Sequence, residues 1–591
     1  MRFVRFAWCL APLFAAGTCF AQTSPVPSIS QPLVPAAVEP AGPGFSLTVN
    51  GAGFVSGSIV NWNGTPLATT YVSAAKLKAV VPATIVSTNG TARVTVVSPG
   101  PGGGSSDPAL FTITEPTSSP VFNTLPLDGL TSPINVVTAD FNNDGIPDLA
   151  VIDQAPAPSC HYQFGAVGSI AILLGNGDGT FAKGSALCYF DDLLGERPER
   201  FAVSSDLNRD GNVDLIGISE FQGEAILDVA YGNGDGTFGH LGGGVAAVTF
   251  KGLSLGDFYS NGQLNIAISE VDDYDFSDIY LLPEYDYLLF NPYVLSAGSL
   301  VSGDFNGDGV LDLADNYGSL TIFLNRGNGV FTQMPAIPFD HAGEPNAEPP
   351  IVAGDFNGDG ILDLATVDGN SISVLLGKGD GTFSEKTGQP VSAETNVSLI
   401  TADMNGDGKL DLVVIDSTNT VSIWLGNGDG TFQAPLDTTG RGDSVVAADF
   451  NGDGRMDLAV MNSADGTASI LLQGSPYKTF VESPIDAGGT SVFSAKRGDL
   501  PVKFSLAIND VLTCNLPPAT IAITRSAGGA LGLVNGSAYV TPADKGSSFR
   551  IDRSACQYVY NLDARSLGIG TYRVDVGING TVAGYAVFAL Q

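Results

Sequence analysis

The sequence predicts an all-β protein: a seven-bladed β-propeller flanked by two immunoglobulin-like β-sandwich domains. Three observations lead there. An acidic loop recurs seven times, its first aspartate falling at Asp140, Asp206, Asp257, Asp304, Asp355, Asp403 and Asp449, in steps of 46 to 66 residues. Between loops lie short apolar runs and Gly-rich turns, the mark of a small antiparallel sheet repeated around a ring. No sustained 3.6-residue apolar period appears, which excludes a helical solenoid.

One unit shows the logic. In "IVAGDFNGDGILDLATVDGNSISVLLGKGDGTF", residues 351–383, a short apolar strand runs into Asp355 and the loop follows. "ILDLATV" makes a second strand, "SISVLLG" a third, and "GKGDGT" turns the chain before Phe383 opens the outermost strand. The terminal phenylalanine recurs as Phe181, Phe238, Phe331, Phe383, Phe432 and Phe480, with Phe122 opening the series. Bulky rings at this spacing read as packing between neighbouring blades. Either "PVFNTLPL", before the first loop, or "YKTFVESP", after the last, is expected to supply the strand that closes the ring.

Numbered from its first aspartate, each loop carries oxygen donors at positions 1, 3, 5 and 9 and Gly at position 6. Hard oxygens at alternate positions around a sharp bend wrap a calcium ion, with the position 7 carbonyl adding another oxygen. Six loops are complete, and their expected ligands are Asp140, Asn142, Asp144, Ile146 and Asp148; Asp206, Asn208, Asp210, Asn212 and Asp214; Asp304, Asn306, Asp308, Val310 and Asp312. The other three give Asp355, Asn357, Asp359, Ile361 and Asp363; Asp403, Asn405, Asp407, Lys409 and Asp411; Asp449, Asn451, Asp453, Arg455 and Asp457. The third loop, "DFYSNGQLN", keeps Asp257 but has Tyr259, Asn261 and Asn265 in place of ligands, and is expected to hold no ion or a weakly bound one. An EF-hand needs a bidentate Glu at position 12, where Val151, Gly217, Asp315, Thr366, Val414 and Val460 stand. Zinc needs His or Cys, which the loops lack.

"GDFNGDG(I/V)LDLA" followed by "LLGxGDGTF" resembles the FG-GAP or VCBS repeat family, over about residues 120–482. The resemblance implies an integrin α-like propeller, calcium loops bracing one side of it, and ligands meeting other loops.

Residues 27–115, from the "NGAGFVSGS" turn to the "PGGG" linker, resemble IPT/TIG immunoglobulin-like domains. Trp62 reads there as core or edge packing. Residues 484–591, with Pro501, Lys503 and Phe504, resemble the PxKF family of β-sandwich modules. Arg2 and Arg5 before an apolar run, with small residues ending at Ala21, predict a signal peptide over 1–21 and a secreted or cell-surface protein. The four cysteines then left suggest two disulfides, Cys160 with Cys188 and Cys514 with Cys556.

A formal net charge of −35 argues against nucleic acid or an anionic membrane as partner. Six bound calcium ions would bring it to about −23. Only His161, His240 and His341 exist, and no nucleophile elbow, zinc-protease motif or P-loop is present. The expectation is non-catalytic recognition or adhesion toward a polysaccharide or extracellular protein. The alternatives are a structural envelope component and, less favoured, a carbohydrate-active enzyme. Tyr274, Phe276, Tyr280, Tyr285, Tyr287 and Tyr293 in the third unit, and an insertion holding Cys160 and His161 in the first, are the candidate recognition surfaces. "RGD" at 441–443 lies on the approach to a strand and reads as structural.

Overall fold

The computed structural model describes residues 24–155, 166–190, 197–221, 224–239, 242–247, 250–271, 277–283, 299–317, 319–337, 350–368, 371–390, 398–474, 477–485, 490–496, 498–508, 511–514, 516–527, 544–578 and 581–591. Among them the only helices are the single turns Ala83–Ile85 and Ala564–Leu567. Everything else regular is strand.

Seven antiparallel sheets follow one another from residue 122 to 473. Their innermost strands are Pro133–Ala139, Arg197–Ser205, Phe250–Gly256, Ser299–Gly303, Ile351–Gly354, Ser398–Ala402 and Ser444–Ala448, here blades 1 to 7. Each touches the next, and the last touches the first again, so the sheets stand in a ring. Second strands are apolar on both faces because each lies between two neighbouring blades: Leu149, Ala150, Val151 and Ile152 are all buried. The unit read from sequence at 351–383 takes its expected form, with strands Ile351–Gly354, Asp363–Asp368, Ser371–Gly377 and one starting at Phe383.

Blade 7 takes its outer strand from the other end of the ring. Phe122–Pro126 pairs antiparallel with Thr467–Gln473, Phe122 opposite Gln473. The competing segment, Tyr477–Glu482, pairs instead with Asp499–Ile508 of the C-terminal sandwich. Phe480 is therefore not a ring residue: it lies on that strand, 41% exposed, and the expectation for it is corrected. The reason is order along the chain, since Phe122–Pro126 already fills the edge of blade 7 when Tyr477 is reached.

The remaining phenylalanines do pack between blades. Phe181, Phe238, Phe331, Phe383 and Phe432 lie 5.5–6.1 Å, centroid to centroid, from Phe450, Phe141, Phe258, Phe305 and Phe356 of the preceding blades' loops. The same joints carry a backbone bond, from Gly179, Gly236, Gly329, Gly381 and Gly430 to those loop carbonyls, at 3.0–3.1 Å. Between blades 6 and 7 the Gln473 side-chain amide replaces it, donating to the Met404 carbonyl at 2.8 Å.

Two sandwiches flank the ring. The N-terminal one stacks the sheet built on Phe45–Ala52 and Lys76–Val81 against that built on Gly90–Ser98 and Ala109–Ile113. Trp62 sits in its core, 5.0 Å from the Phe111 ring centroid. The C-terminal one encloses Phe493, Phe504, Tyr558 and Phe588, and Cys514 is disulfide-bonded to Cys556. Cys188 is also disulfide-bonded, while Cys160 lies outside the described residues.

Candidate functional site: the acidic loops

All six complete loops fold alike, and the residue types explain how. The first aspartate turns inward: one carboxylate oxygen accepts the amide of position 5 and the other that of Gly at position 6, at 2.7–3.2 Å. The asparagine at position 3 accepts the position 5 amide, and the aspartate at position 5 accepts that of position 7. Gly at position 6 has φ between +83° and +92°, a left-handed backbone that only glycine adopts without strain.

Position 9 does something the sequence reading did not foresee. Asp148, Asp214, Asp312, Asp363, Asp411 and Asp457 are each 0% exposed. One oxygen accepts the amide of position 2 and the other an amide at the end of the third strand, for example Phe356 at 2.9 Å and Gly377 at 2.8 Å for Asp363. This aspartate pins loop to sheet. Its mark in the sequence was its place, always one residue before the Leu that opens a buried strand.

Burial makes these carboxylates hard to ionise, and neighbouring aspartates make them harder. Asp312 is pushed up to about 8 by burial first, then by Asp304 and Asp308; Asp363 rises to about 7 in the same way, with Asp355 and Asp359 as neighbours. Asp148 and Asp214 rise to about 6, and Asp411 and Asp457 well above the ordinary value. A dication would relieve exactly this charge crowding, and the donors are the hard oxygens calcium takes. Among the described residues, however, no three His, Cys, Asp or Glu side chains stand close enough together to form a metal-holding group. The carboxylates face backbone amides. By donor chemistry and charge the loops fit the cation; positions 1, 3, 5 and 9 and the position 7 carbonyl are the groups that would hold it.

Loop 3 keeps the same turn without the charge. Asp257 accepts the amides of Asn261 and Gly262 at 3.0 and 2.7 Å. Asn265 at position 9 is buried, and its side-chain oxygen has no hydrogen-bond partner.

The N-terminal sandwich sits on this loop face, reaching every blade. Arg93 forms an ion pair with Asp140, and Thr91 donates to Asp449 at 2.8 Å. Arg209 donates to the Gly103 carbonyl, and Ser205 to Asp107 at 2.8 Å. The Val26 amide donates to Asp257 at 3.0 Å. The amides of Gly53, Asp355 and Thr117 donate to the carbonyls of Gly309, Gln31 and Asn405 at 2.8, 3.2 and 2.8 Å. A cavity of about 310 Å³ remains where the sandwich covers the inner strands, lined by Leu110, Thr112, Thr138, Thr401, Asp403 and Met456 among others.

Family models match this chain at the same places. An FG-GAP-like repeat matches residues 304–366, 355–414 and 403–460, and an IPT/TIG domain matches 27–113. The chain carries FG-GAP-like repeats and an IPT/TIG domain. Each FG-GAP-like match runs from one loop's first aspartate through the next loop's position 12. The two domain types are those of a β-rich protein of the adhesion or binding kind. No curated protein matches the sequence. Solved structures that resemble it include an auxiliary nutrient binding protein from Bacteroides ovatus, 11% identical over 77% of this chain and 100% of that one, TM-score 0.29. A protein from Lactobacillus plantarum is 13% identical over 60% and 98%, TM-score 0.34, and an arginine-to-alanine mutant of AofleA from Arthrobotrys oligospora 13% over 55% and 94%, TM-score 0.31. Similarity at this level says nothing of ligands.

The other candidates stand as follows. Arg441 donates to the Thr420 hydroxyl at 2.7 Å and Asp443 accepts the Ser463 amide, so the "RGD" stretch is engaged within the fold. Residues 156–165, the three histidines and five of the six aromatics of the third unit lie outside the described residues, and of Tyr280 only the backbone strand is described. No described helix is long and apolar enough to cross a membrane.

Proposed function

We propose that the chain is an exported protein whose propeller is braced by calcium and binds a polysaccharide or an extracellular protein without transforming it. The observation that carries this reading is the sixfold recurrence of one oxygen-donor pattern on loops whose position 9 aspartate is buried and crowded by charge. Export is supported by the Cys514–Cys556 disulfide, a bond that persists in oxidising compartments. With the loop face occupied by the IPT/TIG domain, the ligand meets the far end of the blades, where second and third strands connect.

Residues 22–591 screened on microbial and plant glycans, in calcium and in chelator, test the proposal. Binding in calcium that disappears in chelator supports a calcium-dependent lectin-like adhesin. A folded, calcium-loaded protein that binds no glycan, and captures no extracellular protein in a pull-down, overturns the recognition reading.

A further inference from the structure

The six complete loops share their donors but not their surroundings. On the strand Gly90–Ser98, Ala92, Val94 and Val96 face the sandwich core, which turns Thr91 and Arg93 outward to the propeller. Arg93 is fixed there, its own amide donating to Asn63 at 2.7 Å. Its guanidinium meets the Asp140 oxygen that also accepts the Gly145 amide, so blade 1's loop already has a positive charge bonded to its first donor. In blade 7 the buried Arg455 lies 3.4 Å from Asp453, and its Nε and Nη2 have no hydrogen-bond partner. In blade 6, Lys409 lies 3.5 Å from Asp407 but is 44% exposed, so solvent screens it. Among the described residues, no ion pair reaches the loops of blades 4 and 5; the Lys76 ammonium comes near the blade 5 turn, 3.8 Å from where a Cβ on Gly360 would stand, but pairs with no carboxylate there.

We propose that the loops of blades 1 and 7 carry their own guanidinium counter-charge and are the weak calcium sites, while those of blades 4 and 5 are the tight ones. This rests on the reading of the loops as calcium sites. A fixed cation beside a first donor repels the incoming dication and draws on the same carboxylate, and groups next to metal ligands change affinity by about 10- to 100-fold. Linkage is reciprocal. If Arg93 weakens calcium at blade 1, calcium at blade 1 weakens the Arg93 contact by the same factor, so that loop links ion concentration to the seat of the IPT/TIG domain.

The test is a calcium chloride titration of residues 22–591 followed by native mass spectrometry, comparing wild type with Arg93→Gln, Arg93→Lys and Asp140→Asn. The expected wild-type result is two ions bound at least tenfold more weakly than the tight group. Arg93→Gln should move one of them into the tight group, Arg93→Lys should leave it weak, and Asp140→Asn should remove a weak ion and no tight one. Domain release by limited proteolysis should respond to millimolar calcium in wild type and less in Arg93→Gln. Equal affinities in wild type, or loss of a tight ion in Asp140→Asn, overturn the proposal while the calcium reading stands. If the folded chain retains no calcium, both fall together. Should Arg93→Gln fail to fold, Asp140→Asn still decides.

Discussion

The loops of blades 3 and 5 make the same turn from different residues. Asp257 and Asp355 both hold the amides of positions 5 and 6, at 2.7–3.1 Å. At position 5, Asn261 accepts the Gln263 amide at 2.9 Å, and Asp359 accepts the Ile361 amide at 2.8 Å. Both loops also meet the N-terminal sandwich, through Val26 and Gln31. They differ in charge: blade 3 has Asn261 and Asn265 where blade 5 has Asp359 and Asp363. The turn itself therefore needs only the first aspartate and the glycine at position 6; the further carboxylates add charge, and the one at position 9 also ties the loop to its sheet.

The largest test of this contrast is collective and uses pH. In chelator, Asp312, Asp363, Asp148 and Asp214 have folded values of about 8, 7, 6 and 6, above their unfolded value near 3.8. The folded state thus binds more protons than the unfolded one between these limits, and its stability falls as pH rises from about 4 toward 8. Asn265 makes blade 3 silent at this position. Calorimetric melts in chelator should show the fall, and saturating calcium should remove most of it. A flat profile in chelator means the position 9 aspartates are not crowded.

Next in size are the inter-blade rings. Phe258→Ala and Phe356→Ala should each cost about 3–5 kcal/mol, in calcium or in chelator alike, because both rings are buried against a neighbouring blade. Denaturant unfolding measures this, and a much smaller cost for Phe258→Ala would show that blade 3 lost its packing along with its charge.

Asp359→Asn gives blade 5 the position 5 residue of blade 3. The amide oxygen can still accept from Ile361, and one charge fewer beside Asp355 and Asp363 relieves their crowding, so a small gain in stability is expected in chelator. In calcium at about 100 times the dissociation constant, the loss of one ion should cost about 2.7 kcal/mol. Equal melts of mutant and wild type in calcium would mean blade 5 holds no ion.

The smallest effect concerns glycine. At Gly360, φ +85°, an added Cβ would meet nothing closer than the Asn50 and Lys76 side-chain nitrogens at 3.8 Å, so Gly360→Ala should cost only the left-handed strain, about 1–2 kcal/mol. At the equivalent Gly309 an added Cβ would come within 2.3 Å of Ala74, so Gly309→Ala should also loosen the N-terminal sandwich, seen as faster proteolysis between it and the ring.

The sheets were legible in the sequence because each is local: residues 351–383 contain loop, strands and turns in one stretch. Trp62 in the sandwich core was legible for a different reason, since a large ring on an alternating apolar strand has much surface to bury whatever its partner, here Phe111. The closing strand was not, since Phe122 and Phe480 sit in similar short runs and only pairing of Phe122 with Gln473 decides between them. The second task of position 9 was not legible either, because an aspartate that also bonds two amides has the same letter as one that serves a cation alone. The seating of the sandwich could not be read at all. Thr91, Arg93 and Val26 form no motif, and their partners lie 358, 47 and 231 residues away.

Ring closure by Phe122–Pro126 has a consequence for the order of events in the life of the chain. That strand is made before any blade, while its partner Thr467–Gln473 is made after all the others. Until translation delivers the final sheet, an early strand waits with an open edge, the kind of surface that recruits other chains. The N-terminal sandwich, joined to the waiting strand by only residues 114–121, is carried to the ring in the same closing step. A chain truncated before blade 7 would thus lose both its seal and its seated domain, and its expected fate is aggregation rather than a smaller working propeller.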